Sequence, residues 1–149
     1  MLTAKDIMTK EVISVTPDLA VGKLANLLWE KRISGVPVID GNGKLLGVVT
    51  ESDLIDQTKK LHIPTVLTIL DSVIFLESPA KMDKEMKKMT GTRVIDICSG
   101  EIISVSEDTP VEEIATIMSD KKIHTLPVVK KGKVVGVVGK GDIIRTLIR

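Results

Sequence analysis

Apolar positions along the chain fall into two recurring patterns. Val21, Leu24, Ala25 and Leu28 stand at i, i+3, i+4 and i+7, and so do Val111, Ile114, Ala115 and Met118. That spacing predicts two amphipathic helices, each burying one stripe. Lys31-Arg32 and Lys121-Lys122 close them with positive charge, which suits a helix C-terminus. Thr16-Pro17-Asp18 and Ser106-Glu107-Asp108 precede them as candidate N-caps. After each helix comes a β-rich run with a central proline, Gly35-Val36-Pro37-Val38-Ile39 and Thr125-Leu126-Pro127-Val128-Val129. Asp40-Gly41-Asn42-Gly43, and Lys130-Lys131-Gly132 in shorter form, then predict hairpin turns. Return strands follow over Leu45 to Val49 and Val134 to Val138. Second helices open at Ser52-Asp53 (Leu54 onward) and at Gly141-Asp142 (Ile143 to Ile148). Ahead of each long helix lie a short helical turn, Asp6-Ile7-Met8 or Asp96-Ile97-Cys98, and a β-rich run, Val12 to Val15 or Ile102 to Val105.

These patterns are one repeat. Ala4 to Ile55 aligns on Val94 to Ile144, with some 20 identical positions, among them Asp6/Asp96, Pro37/Pro127, Gly47/Gly136 and Asp53/Asp142. Each copy reads β-α-β-β-α, an α/β (α+β) unit. A unit of about 55 residues is marginal alone, so two copies stacking their sheets would share a core. The expected division is 1–57 for the first copy, 58–90 for a connector and 91–149 for the second. The connector is apolar from Val66 to Leu76, then charged and helical in pattern, with Met82, Met86 and Met89 on one stripe. Packing on its own subunit is the favoured reading of that apolar run, with a dimer surface the alternative.

Composition narrows the function. Hydrophobic residues are 43%, charged residues 28%, and the net charge is +1, so no bulk field points to nucleic acid or an anionic membrane. Trp29 and Phe75 are the only aromatics, too few for a base-stacking platform. Cys98 is the only cysteine, no apolar run approaches the roughly 18 residues of a membrane span, and no apolar signal core is seen; a cytoplasmic setting is expected. Metal-ligand spacings, a P-loop and a nucleophile elbow are all missing from the sequence, so an enzyme is not expected, and no cofactor is required.

The Ile-Ser-Val-Thr-Pro run, the Gly-Val-Pro-Val-Ile-Asp run and the Gly47-Val48-Val49-Thr50-Glu51-Ser52-Asp53-Leu54 run, present twice in the same order, resemble the CBS domain. Two copies make a Bateman module. The resemblance covers residues 1 to about 57 and 91 to 149. It implies two repeats packed about a pseudo-twofold axis with clefts between them, taking AMP, ADP, ATP or S-adenosylmethionine as a regulatory ligand. It also implies control of an unidentified effector protein and, for the stand-alone type, pairing into a disc-like homodimer.

The resemblance also assigns the walls. Thr50, Ser52 and Asp53, with Lys140 and Asp142 in the second copy, would hold ribose and phosphate. An ionised carboxylate accepts from two ribose hydroxyls, and the N–H groups opening the last helix suit a phosphate. The bland alternative for both aspartates is a helix N-cap. Gly139 stands where the first copy has Thr50, so the second copy would grip differently, through its backbone or Lys140. Ile33, Ser34, Gly35 and Pro37, with Ile123, His124, Thr125 and Pro127, form the second wall, where His124 could reach phosphates. Met8, Val12 and Ile13, with Cys98, Ile102 and Ile103, form the third, where apolar side chains and free edge carbonyls would sandwich an adenine. Glu51 occupies the position of Lys140, so the second copy would favour the more phosphorylated ligand and the first a nucleoside-like one. The competing reading is an interaction module whose clefts stay empty and whose connector recruits a partner.

Overall fold

The computed structural model describes residues 1–60, 92–98 and 101–148. The connector lies largely outside them, so its expected packing and its methionine stripe do too. The elements run α1 (Ala4–Ile7), α2 (Val21–Lys31), β1 (Gly35–Ile39), β2 (Leu45–Thr50), α3 (Glu51–Lys60), α4 (Val94–Ile97), α5 (Val111–Lys121), β3 (Thr125–Lys130), β4 (Lys133–Gly139) and α6 (Lys140–Arg145). The last helix starts at Lys140 and stops at Arg145, three residues earlier at each end than the apolar pattern suggested.

Each copy makes an antiparallel hairpin, β1 with β2 and β3 with β4. The first turn is held by Asp40, whose carboxylate accepts from the N–H groups of Asn42 (2.8 Å) and Lys44 (3.0 Å), with Gly43 at φ 83°. The second turns through Lys131 (φ 52°) and Gly132 (φ 79°), the left-handed pair that a two-residue hairpin needs.

The expected first strand of each copy shrinks to one rung, Val15 beside Val38 and Val105 beside Val128, both parallel. Val15 N–H donates to the Pro37 carbonyl (3.0 Å), and Ile39 N–H donates to the Val15 carbonyl (2.9 Å). The preceding rung would need an N–H at Pro37, which proline lacks. The ladder therefore ends there, and β1 accommodates its proline although it is flanked on both sides.

The candidate caps do not cap. Ala20 and Pro110 are the N-cap residues of α2 and α5, with no side-chain hydrogen bond from either. Thr16 and Ser106 instead close local turns, Thr16 Oγ1 donating to Asp18 Oδ1 (2.7 Å) and Ser106 N–H to Thr109 Oγ1 (3.0 Å). The helix starts are served by the opposite copy. Val21 N–H donates to the Thr92 carbonyl (3.0 Å), and Val111 N–H to the Leu2 carbonyl (3.1 Å). Ala4 N–H reaches Thr109, and Val94 N–H reaches Leu19, each at 2.9 Å.

The lead-in segments are thus exchanged. Ala4, fully buried, belongs to a core of Val105, Ile114, Met118, Leu126, Val128 and Val138. Val94, equally buried, belongs to a core of Val15, Leu24, Leu28, Val36, Val38 and Val49. In space, each lobe combines one copy's hairpin and long helix with the other copy's lead-in. The lobes meet sheet to sheet: Ser34 Oγ and Thr125 Oγ1 lie 3.3 Å apart across the interface. Lys44 and Lys133, equivalent in the repeat, bridge each other, which puts them on the pseudo-twofold axis.

Candidate functional site

A cavity of about 720 Å³ lies between the lobes. Its apolar wall comes from the first copy: Val12 and Ile13 before the Val15 rung, Ile33 after α2, and Pro37 on β1. Ser34 and Gly35 sit at the lobe junction. A Cβ at Gly35 would stand 3.0 Å from the Val49 carbonyl and 3.2 Å from Thr125 Oγ1, so glycine permits the close approach there. The opposite wall comes from the second copy: His124, Thr125, Gly139, Lys140, Gly141 and Asp142.

Asp142 is 7% exposed. Gly139 N–H donates to its Oδ2 (2.8 Å), and the Arg145 guanidinium is paired with Oδ1. The carboxylate therefore caps its own helix, as the bland reading had it, and also faces the cavity. Asp53 caps in the same manner, accepting from Thr50 N–H (2.8 Å) and Thr50 Oγ1 (3.2 Å). Capping and facing a cleft are compatible, because the cap uses one carboxylate oxygen.

The cavity is thus built from both copies. Glu51 and Lys140, expected to give separate clefts opposite charge, line this same cavity, together with Glu11 and Arg32. Among the described residues, the charge around this cavity is therefore mixed.

Val12, Ile13, Ile33, Ser34, Gly35, Pro37, His124, Thr125, Lys140 and Asp142 from the sequence reading come together here. The others go elsewhere. Met8 packs on the second lobe's core, filling the space that Gly136 leaves by lacking a side chain. Ile103 and Ile123 also pack against that core, and Pro127 is fully buried on β3. Ile102 lines a smaller cavity of about 400 Å³ beside the hairpin tips, with Lys44, Lys131 and Lys133. Cys98 packs on the first core. Burial raises its thiol pKa, and the Asp53 carboxylate raises it further, in keeping with an inert filler. Thr50, Ser52 and Asp53 are the repeat counterparts of Gly139, Gly141 and Asp142.

Sequence reasoning missed Thr9, Glu11, Ala25, Leu28, Trp29, Arg32, Leu54, Ile55 and Val137 in the lining. One signal was available. Trp29 stands just off the apolar stripe of α2 and is 78% exposed, an aromatic on a polar face at the mouth of the cavity. Among the described residues no cluster of three or more His, Cys, Asp or Glu is arranged to hold a metal ion, and no helix is long and apolar enough to cross a membrane.

Comparison with known proteins now decides the family. The CBS domain model matches twice, over residues 4–59 and 94–149. The chain belongs to the CBS domain family. It is a tandem CBS pair, and its solved neighbours are CBS pairs as well. CBSX1, a chloroplastic CBS domain-containing protein of Arabidopsis thaliana, is 32% identical over 99% of this chain, and the chain spans 64% of that relative's length. The crystal structure of CBSX2 in complex with AMP is 28% identical, with a TM-score of 0.74 over 99% of this chain and 97% of that one. The CBS pair of protein MJ0100, solved with 5′-methylthioadenosine and S-adenosyl-L-methionine, is 26% identical, with a TM-score of 0.69 over 99% and 96%.

Proposed function

We propose that this CBS pair is a regulatory module that binds an adenosyl ligand, AMP, ADP, ATP or S-adenosylmethionine, between its lobes and through it modulates an effector protein. The observation that carries the reading is the cavity itself. A buried carboxylate from one copy, Asp142, faces an apolar wall from the other, Val12, Ile13, Ile33 and Pro37. Adenine would lie on the apolar wall, where the Ile13 carbonyl lacks a ladder donor because Pro37 has no N–H. Ribose hydroxyls would donate to Asp142, a charge-assisted bond. Lys140 and His124 would meet any phosphate. The two neighbours solved with adenosyl compounds support this choice of ligand class. Regulation, not catalysis, is the proposed role, because the cavity brings together recognition groups and no paired nucleophile and base.

A ligand that binds only the folded state raises its apparent stability by mass action. A thermal-shift panel of AMP, ADP, ATP and S-adenosylmethionine, on wild type, Asp53→Ala and Asp142→Ala, tests the proposal. A shift with an adenosyl ligand that disappears in Asp142→Ala supports it. No shift in protein shown to be nucleotide-free refutes it.

A second surface favours self-association. Ile55 on α3 (60% exposed) and its repeat counterpart Ile144 on α6 (53%) are open to solvent, as are Leu147 and Ile148 after α6. We propose that these apolar residues pair two copies into a homodimer, and that the protein works in a reducing, cytoplasmic compartment in keeping with its single cysteine.

A further inference from the structure

We infer that Arg145 sets which adenosyl ligands the cavity accepts, favouring those with a phosphate over bare nucleosides, because it holds Asp142 until another anion takes its guanidinium. The inference rests on the ribose role proposed for Asp142.

Asp142 has both carboxylate oxygens engaged: Oδ2 takes the Gly139 N–H, and Oδ1 takes Arg145. The carboxylate is 7% exposed, whereas the Arg145 side chain is 70% exposed. The guanidinium is therefore the partner that can leave. A ribose hydroxyl that takes the guanidinium's place at Oδ1 exchanges a charge-assisted bond for one from a neutral donor. A nucleoside gives the released guanidinium nothing in return. A cationic sulfonium gives it nothing either. A phosphate on the same ligand offers two oxygens in the geometry that a guanidinium fork matches. Lys140, which lines the cavity beside Asp142, adds charge of the same sign. At the equivalent position three beyond Asp53 the first copy has Asp56, a carboxylate, in place of the arginine.

Calorimetric titration of adenosine and of AMP into wild type, Arg145→Gln and Asp142→Ala reads this directly. Arg145→Gln is expected to tighten adenosine about two- to fivefold, the worth of a largely exposed ion pair, and to weaken AMP. Opposite signs for the two ligands are the signature. If adenosine binding is unchanged or weaker in Arg145→Gln, the inference is overturned. A fall in both affinities together assigns Arg145 a merely structural role and overturns it as well. If wild type binds neither ligand, or Asp142→Ala leaves both affinities intact, the ribose assignment itself fails, and this inference falls with it. Arg145→Lys, which keeps the charge and loses the fork, serves if the glutamine variant does not fold; it should show the same two signs more weakly.

Discussion

Val111 donates its backbone N–H to the carbonyl of Leu2, 3.1 Å away, so the long helix of the second copy is capped by the first residues of the chain. Val21 and Thr92 repeat the arrangement in the other lobe at 3.0 Å. Ala4 sits behind Leu2 in the second lobe's core, fully buried. Ala4→Leu should overpack that core at a cost of about 1–3 kcal/mol. Hydrogen exchange should show the loss of protection first in α5, β3 and β4, and only later in the lobe that residue 4 precedes in sequence.

Met8 and Gly136 are coupled. A Cβ at residue 136 would overlap the Met8 side chain. Gly136→Ala alone should therefore destabilise by about 1–3 kcal/mol. Combined with Met8→Ala, which opens room at the same place, it should cost less than the sum of the two single changes, by roughly 0.5–3 kcal/mol. Denaturant melts of the four proteins measure this. Additivity would mean that the two side chains do not share the space.

Acid stability should depend on exposed carboxylates at the lead-in turns. The Thr3 backbone N–H, donating to Asp6, holds that carboxyl below the usual range, and the Thr16 hydroxyl does the same for Asp18. A carboxyl whose pKa is depressed on folding stabilises the protein above its unfolded pKa, about 4, and loses that contribution as pH falls through the folded value. Asp6→Asn should thus flatten the fall in melting temperature below about pH 4 while leaving the slope near neutrality unchanged. At the other end, the raised Cys98 thiol keeps its proton in the folded state. Its contribution is fully present below the unfolded thiol pKa of about 8.5 and is lost as pH rises through the higher folded value. Iodoacetamide at pH 8 should label Cys98 far more slowly in native than in unfolded protein.

Much of the architecture could be read from the sequence. The hairpins were legible because Gly43 and Gly132 must supply positive φ, and the long helices because Leu24 and Ile114, both fully buried, anchor a 3.6-residue stripe. The exchange of lead-ins was not, because a repeat shows that Ala4 and Val94 are equivalent without showing which core receives each. Thr16 and Ser106 misled because their hydroxyls bond to side chains two or three residues on, Asp18 and Thr109, a local alternative to capping. The first strand misled because β propensity at Val12 and Ile13 cannot make a rung where Pro37 has no donor. Ten of the candidate site residues were legible as chemistry and line the cavity, whereas their grouping was not legible. Asp142 and the Val12-Ile13 wall were both named, yet their meeting in one cavity follows from the lobe packing, which no local pattern encodes.

Trp29 stands at the mouth of the cavity as the chain's only tryptophan, so ligand entry has a built-in optical reporter. The most direct measurement is a titration of nucleotide-free protein with AMP, followed by Trp29 fluorescence, on wild type and Asp142→Ala. The account predicts a saturable change in wild type that is lost or shifted at least tenfold to higher AMP in the variant, a change of about 1.4 kcal/mol. Identical titrations for the two proteins, or no binding by wild type, would contradict it.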